Sequence, residues 1–207
     1  MNNDFRDVVL NRRSIRTYDA DHKIPKETML KILEDAALAP SSVNSQPWRF
    51  VVVESQEGKD TLEPLIRFNK SQNSTSSAMI LIFADMNCID RAEEIYDLAV
   101  ERGTMSKETR DVQINGIVPY YKNKNRQDLN DTVRLDAGLV AMQLMLVARS
   151  YGYDTCPIGG FERDQLARTF GLDEERYQPS IIISIGKAID EGYDSVRLPV
   201  DTLTKWF

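Results

Sequence analysis

The sequence predicts one layered domain of the α/β or α+β class, a sheet with helices packed over it. Three observations support this prediction. The chain has 207 residues, which is enough for one domain with a proper core and short for two. Segments with strand patterns are interleaved with segments whose apolar residues recur at helical spacing. Residues 180–188, "SIIISIGKA", are continuously apolar, which is typical of a strand buried on both faces.

Spacing, proline and glycine define the individual elements. Residues 26–40 place apolar side chains at helical intervals, Pro25 fits the first turn, and Pro40 ends the helix. Further helices are predicted at 134–152, the longest, at 162–172, and, as one or two helices, within 90–112; strands are predicted at 48–55, 78–85 and 180–188, and a strand and turn at 153–161. The chain ends on Trp206 and Phe207, an apolar tip that we expect to dock on something.

Composition narrows the classes of partner. The hydrophobic content of 42% and charged content of 28% indicate a globular chain, neither disordered nor embedded in a membrane. A net charge of −6 argues against broad binding to nucleic acid or to membrane surfaces. Apolar runs such as 78–84 are too short to cross a bilayer, and the first residues lack a signal-peptide pattern. We therefore expect a cytosolic protein.

Histidine and cysteine are too few for several kinds of catalytic site. His22 is the only histidine and lies in the polar stretch "DADHK", so we expect a solvated loop residue that cannot serve a Ser-His-Asp triad. One histidine with Cys88 and Cys156 cannot build a zinc site or a disulfide framework. We expect Cys156 to be a small buried residue and not a nucleophile. Neither a strand-linked GxGxxG nor a P-loop is present.

A cluster of arginines lies near the start of the chain. Arg12, Arg13, Ser14 and Arg16 place three guanidinium groups and a hydroxyl within five residues of an acidic protein. Arginine suits phosphate because it stays charged and grips two oxygens at once. Ordinary surface ion pairs are the alternative reading of this cluster.

A second polar cluster joins a helix to a strand. In "APSSVNSQPWRF", residues 39–50, Pro40 is followed by Ser41, Ser42, Asn44 and Gln46. Capping and turn formation explain one or two of these side chains, but not all of them. A heterocycle rich in oxygen and nitrogen would use such donors and acceptors well.

Two further segments are weaker signals. Asn69 and Gln72 are three residues apart, so on a helical turn their amides share a face and could bind the edge of a ring with C=O and N–H groups. Gly159 and Gly160, in "CPIGGF", would let a backbone N–H approach a ligand with no side chain in the way.

Together these segments resemble the nitroreductase family of FMN-dependent NAD(P)H oxidoreductases. The resemblance runs in order through "RRSIRTYD", "IPKETMLKILEDAALAPSSVNSQPWRFVVV", "FN..Q", "AMQLMLVARSYGYDTCPIGGF" and "IIISIGKA", and so covers nearly the whole chain. It implies an α+β fold of three layers, with a mixed, mainly antiparallel sheet surrounded by helices. It also implies one domain over 1–207, with a helical excursion near the active site at about 90–126 and a C-terminal arm at 197–207.

The resemblance further implies an intertwined homodimer that holds two FMN molecules in shared pockets. The residues that it assigns to FMN are Arg12, Arg13, Ser14, Arg16 and Arg197 for the phosphate, ribityl chain and part of the ring edge; Pro40, Ser41, Ser42 and Asn44 from the other subunit; Asn69 and Gln72 at the pyrimidine edge; and Ile158, Gly159 and Gly160 facing N5. NADH or NADPH would reduce the flavin, and an electron-poor acceptor such as a nitroaromatic, a quinone or free flavin would reoxidise it in a ping-pong scheme without a side-chain acid or base.

Two departures from the family pattern affect the charge around the flavin and its phosphate. Many relatives have Lys where Gln72 stands, and some have Lys where Ser195 stands, so the charge near the flavin and its phosphate is lower here. Tyr120 and Tyr121 could stack on substrates or be ordinary half-buried tyrosines. Reductive dehalogenation, flavin fragmentation, a storage or sensor role, and a domain whose arginines make only surface ion pairs remain as alternatives.

Overall fold

A computed structural model describes all 207 residues and gives an α+β fold, as predicted. Its centre is a sheet of four antiparallel strands in the order β1-β2-β4-β3. The strands are β1, Trp48–Val53; β2, Ala78–Asp85; β3, Asp154–Ile158; and β4, Tyr177–Gly186. Each strand lies within or close to its predicted range.

Eight α-helices surround the sheet. They are α1, Phe5–Leu10; α2, Lys26–Ala36; α3, Gln56–Leu62; α4, Lys70–Thr75; α5, Ala92–Glu101; α6, Lys107–Lys122; α7, Arg126–Ser150; and α8, Arg163–Thr169. Side chains of Ser55, Ser106 and Asn125 accept hydrogen bonds from the first-turn amides of α3, α6 and α7, which fixes where these helices begin. None of the eight combines the length and apolar character that a membrane span requires.

The buried strand β2 separates two apolar layers. All eight of its residues are buried, and successive side chains point to opposite faces. Ile80 and Ile82 join the larger apolar cluster, which includes Val140 and Leu144 of α7. Leu81 and Phe83 join the smaller cluster on the other face, with Leu166 of α8 among its members. The three-layer arrangement in the prediction is therefore confirmed.

The segment after α1 adds a short parallel bridge beyond the edge strand β3. Ser14 pairs with Thr155, and the Ile15 amide donates to the Thr155 carbonyl at 3.1 Å. Tyr18 ties the segment to β4, because its buried hydroxyl lies 2.7 Å from the Ile15 carbonyl oxygen and 2.8 Å from Ser184 Oγ. The arginine-rich segment is thus fixed along one edge of the sheet.

Several boundaries differ from the prediction. The helix predicted to run to Pro40 ends at Ala36 and turns before the proline. The longest helix begins at Arg126 rather than at 134, because its charged first turns hide the apolar spacing.

His22 is half-buried, its Nε2 is buried without a hydrogen-bond partner, and its ring lies 5.7 Å from that of Tyr153. The prediction of a solvated histidine is wrong, because the loop folds against Tyr153.

The single chain exposes more surface than a compact monomer of its size. Its accessible area is 12119 Å², whereas a folded monomer of 23.6 kDa exposes about 9,800 Å². Exposed apolar side chains contribute to the excess: Phe5, Leu135, Leu139, Met142, Val196, Leu198, Trp206 and Phe207. They lie on α1, on one face of α7 and along the C-terminal tail.

Candidate functional site

A cavity beyond the β3 edge gathers the predicted arginines. Its volume is about 420 Å³, and it is lined by Arg12, Arg13, Ser14, Arg16, Tyr193, Asp194, Ser195 and Arg197. The parallel bridge to β3 brings in the first four, and the C-terminal tail crosses the same face and brings in the rest. The structure therefore joins two stretches that lie about 180 residues apart in the sequence. We call this feature the arginine cavity.

The guanidinium groups of the arginine cavity are mostly without anionic partners. Arg12 Nη1 is buried and makes no hydrogen bond. Arg16 and Arg197 donate only to backbone carbonyls nearby in their own segments, at 3.4 and 2.9 Å, and form no ion pair. A buried donor without a partner is costly unless a ligand satisfies it, so this donor set fits an oxygen-rich anion such as a phosphate ester.

Only one carboxylate offsets this charge. Asp194 lies 3.7 Å from Arg13 and is fully exposed, so solvent screens the pair. Arg16 stacks over the ring of Tyr193 at 5.6 Å from its centroid, which holds the guanidinium without neutralising it. The alternative reading, in which all these arginines make ordinary surface ion pairs, is wrong for Arg12, Arg16 and Arg197.

The two predicted amides do share a face of a helix. Asn69 precedes α4 and Gln72 lies in its first turn, and Gln72 Nε2 donates to Asn69 Oδ1 at 3.2 Å. Asn69 Nδ2 also donates to the carbonyl of Gly160 at 3.3 Å. The amide pair is therefore fixed against the segment that follows β3.

The glycines after β3 leave open space. A Cβ atom added at Gly159 would meet no other atom within 4 Å, whereas one at Gly160 would lie 3.7 Å from Asn69 Nδ2. Neither glycine has a positive φ, so backbone conformation alone does not require them. Their effect is to leave the backbone beside the amide pair accessible to a ligand.

Cys156 connects the arginines with the amides. It is buried, and Ser14, Gln72 and Arg16 all lie close enough to influence its thiol. Burial raises the pKa of the Cys156 thiol more than the nearby Arg16 lowers it, so the thiol is protonated at neutral pH. The residue packs between the arginine segment and the amide pair, in agreement with the predicted packing role.

The polar segment at residues 40–44, which the resemblance assigns to the FMN pocket of the other subunit and which we call the wall, lies at a different corner of the sheet. It leads into β1, the edge strand opposite β3, and β1 and β3 are three strand spacings apart, or about 14 Å. Asn44 lines another cavity, of about 560 Å³, together with Trp48, Phe50 and side chains of α5.

The two corners are also offset along the strands. Ser14 is level with Thr155, which pairs through Ile185 with Ala78 at one end of β2. Trp48, just after the wall, pairs with Ala84 near the other end of β2, about 20 Å away. One chain therefore separates Asn44 from Arg16 along a diagonal of the sheet.

The wall is held by side chains that sequence reasoning missed. The buried carboxylate of Asp136, on α7, accepts hydrogen bonds from the Ser42 amide and hydroxyl at 3.1 Å, and Tyr96 donates to the Val43 carbonyl at 2.9 Å. Burial raises the pKa of Asp136, and the Ser42 bonds partly oppose this. The signal was available, because an acid inside the apolar run "RLDAGLVAM" calls for a buried partner.

The backbone of the wall is strained. Val43 and Asn44 of the wall, and Gln46 just after it, all have φ near +50°, in the left-handed region that non-glycine residues rarely occupy. Such conformations cost about 1–3 kcal/mol each and cluster at functional sites. The bonds of Asp136 to Ser42 and of Tyr96 to Val43 stabilise the turn and offset part of this cost.

Aromatic residues near the site differ in exposure. Tyr120 and Tyr121 lie edge to face at 5.8 Å, but Tyr120 is 62% exposed and Tyr121 only 5%. Of the two tyrosines, only Tyr120 is exposed enough to stack on a substrate, whereas Tyr121 is a buried packing residue. Phe68, which sequence reasoning did not single out, is 98% exposed directly before Asn69, where the ion pair of Arg67 with Glu162 at 2.8 Å fixes the turn.

Comparison with known proteins gives first the class and then the family. A solved structure from Exiguobacterium sibiricum, described as a nitroreductase in complex with FMN, matches with a TM-score of 0.98 at 55% identity, and covers 100% of this chain and 99% of its own. The fold is thus that of the nitroreductases. The chain belongs to the Nitroreductase family, whose model matches residues 9–187. The family prediction is confirmed.

Two curated relatives extend this comparison. YdgI of Bacillus subtilis, named as an NAD(P)H nitroreductase, is 55% identical over 204 residues, which is 99% of this chain and 98% of the relative. A Lactiplantibacillus plantarum protein named CLA biosynthesis enone reductase is 35% identical over 205 residues, 99% of this chain and 94% of the relative. Relatives of this chain are therefore named for different acceptors.

Proposed function

We propose that the protein is an FMN-dependent NAD(P)H oxidoreductase that reduces electron-poor acceptors. The observation that carries the proposal is the arginine cavity. Its buried Arg12 donor has no hydrogen-bond partner, and the guanidinium groups of Arg16 and Arg197 form no ion pair, so all three can bind an anionic ligand. Cys156 is buried beside Ser14 and Gln72, so the arginine cavity and the amide pair Asn69 and Gln72 are close neighbours that could bind the phosphate and the heterocycle of one ligand. The FMN complex of the relative from Exiguobacterium sibiricum supports this identification.

Each group of residues has a role in this proposal. Arg16 and Arg197 bind the phosphate, and Arg12, Arg13 and Ser14 bind the ribityl chain and part of the ring edge. Asn69 and Gln72 bind the pyrimidine edge with their amides. Ile158, Gly159 and Gly160 present backbone to the reactive side of the ring, where Gly159 leaves room for close approach.

FMN bound by these residues would supply the chemistry of hydride transfer from NAD(P)H to the acceptor, in a ping-pong scheme. The chain positions the reactants and sets the local field. Gln72 is neutral, so we assign the stabilisation of negative charge on the ring to Arg12, which lines the arginine cavity. Phe68 and Tyr120, both well exposed, offer flat faces for an aromatic acceptor.

We further propose that two chains share each site in a homodimer. The diagonal separation of Asn44 from Arg16 means that one chain cannot apply both to one flavin, whereas a second chain can supply Pro40, Ser41, Ser42 and Asn44. The surface excess of roughly 2,300 Å² over a compact monomer supports an extensive interface. The exposed apolar face of α7 and the C-terminal tail are suitable surfaces for it.

The test is anaerobic reduction followed by an acceptor panel. Purified protein reconstituted with FMN is mixed with NADH or NADPH in a stopped-flow instrument, and the flavin absorbance is followed. We expect reduction within seconds and reoxidation by a nitroaromatic, a quinone, free flavin or an enone. A flavin that neither nucleotide reduces faster than minutes would favour storage or sensing, and preferential turnover of a halogenated phenol would favour dehalogenation.

A further inference from the structure

Two buried polar residues connect helix α3 to helix α4. Lys59 on α3 is 3% exposed and Asn73 on α4 is 2% exposed. Lys59 Nζ donates to the carbonyl of Ser76, which caps the end of α4, and Asn73 Nδ2 donates to the Lys59 carbonyl at 2.8 Å. The two bonds run in opposite directions between the helices and fix both their spacing and their rotation.

Burial of the Lys59 ammonium group costs free energy that an apolar residue linking the two helices would not. No carboxylate pairs with it, and burial lowers the pKa of its ammonium group, with repulsion from Lys23 as a smaller cause. Asn73 Oδ1 and Ser76 Oγ are also buried without hydrogen-bond partners. An unpaired buried cation is commonly no better for stability than an apolar residue of similar size. Fold stability alone therefore does not explain a lysine at this position.

The position of α4 matters because its other end carries the amide pair. Ser76 lies one helical turn after Gln72, and its amide donates to the Gln72 carbonyl at 3.1 Å. Asn69 stands just before the first residue of the helix. A helix of six residues is too short to be stable by itself, so its tertiary contacts decide where the amides point.

We propose that Lys59 and Asn73 form a buried clamp that aims Asn69 and Gln72 at the flavin, so that Lys59 is a positioning residue for the cofactor. This inference rests on the proposed function. It gives Lys59 a role in flavin affinity and potential although its side chain does not reach the cavity lined by the arginines.

The test compares Lys59→Met with Leu62→Ala in the full-length protein. Leu62 is fully buried on the same helix but lies in the apolar layer and makes no side-chain hydrogen bond, so its truncation loosens α3 without removing the clamp. Three quantities are measured for each variant: the thermal midpoint, the FMN dissociation constant and the midpoint potential of bound flavin. We expect Lys59→Met to raise the dissociation constant at least tenfold and make the potential more negative, because misdirected amides stabilise the reduced ring less.

Leu62→Ala should lower the thermal midpoint at least as much but leave the FMN dissociation constant within twofold and the potential unchanged. The proposal is overturned if Lys59→Met matches wild type in both flavin measurements, or if both variants weaken FMN in proportion to their loss of stability. Should Lys59→Met fail to fold, Asn73→Leu, which removes the reciprocal donor, decides by the same criteria. Wild-type protein that does not bind FMN would overturn the proposed function as well.

Discussion

Arg12 illustrates how individual residues indicate the function. Its Nη1 is buried and unpaired, while other arginines such as Arg49 and Arg176 share the buried carboxylate of Asp85 at 2.8 Å. Arg49 and Arg176 thus have anionic partners, whereas Arg12, Arg16 and Arg197 of the arginine cavity form no ion pair. That contrast, rather than the number of arginines, distinguishes a binding site from a charged surface.

Arg16→Ala tests the phosphate assignment. A charge-assisted hydrogen bond contributes about 1.5–3 kcal/mol, so the variant should bind FMN at least tenfold more weakly and be purified colourless. Arg168→Ala is the matched control, because it removes one exposed positive charge from α8, where Arg168 lies 3.8 Å from Glu174. FMN retention is measured by absorbance after dialysis. Equal retention by Arg16→Ala and wild type would show that Arg16 does not bind the phosphate.

Cys156→Ala tests whether the thiol takes part in the chemistry. The side chain is buried and protonated at neutral pH, so we expect only a packing role. The rate of flavin reduction by NAD(P)H should stay within a few-fold of wild type. A loss of several orders of magnitude, with FMN still bound, would instead indicate a covalent role.

At the scale of elements, helix α7 holds the wall in place through the hydrogen bonds of Asp136 to Ser42. The carboxyl's pKa is higher in the folded chain than the ordinary value because burial disfavours the charged form. Such a group stabilises the fold fully below its unfolded pKa of about 3.9, and this contribution is lost as pH rises through the folded pKa.

Asp136→Asn isolates this effect because asparagine does not titrate. The free energy of unfolding of wild type minus that of the variant should fall as pH rises from about 4 and level off above the folded pKa. Urea denaturation at a series of pH values measures it, with both proteins in the same buffers. A difference that grows with pH would mean that the carboxylate is stabilised in the fold, contrary to its burial.

The sequence was sufficient for elements with strong local signals and insufficient for features set by tertiary contacts. The strands were predicted correctly because β2 is almost wholly apolar and β4 contains the apolar run at residues 181–183. Asn69 and Gln72 share a face as helical spacing requires. The start of α7 was missed because its first turns are polar. Asp136 was missed because its partner, Ser42, lies 94 residues away. The roles assigned to site residues remain predictions that rest on the family resemblance.

At the scale of the whole molecule, the C-terminal tail of a single chain leaves large aromatic side chains exposed to solvent. Trp206 is 88% exposed and Phe207 is fully exposed, although burial of each would contribute about 1.5–3 kcal/mol. Removal of residues 204–207 should therefore raise the dimer dissociation constant at least tenfold. Sedimentation at a series of concentrations measures it, and an unchanged dimer would show that the tail does not contact the partner.

Sharing of each site between two chains is tested most directly by mixing two inactive variants. Arg16→Glu and Asn44→Asp lie at opposite corners of the sheet, and each alone should abolish FMN-dependent turnover. When the two are refolded together in equal amounts, half the dimers are mixed, and each mixed dimer has one pocket with both defects and one with none. Two-fold symmetry then predicts recovery of about a quarter of wild-type activity. No recovery, with mixed dimers shown to form, would place each site within a single chain and contradict the shared pocket.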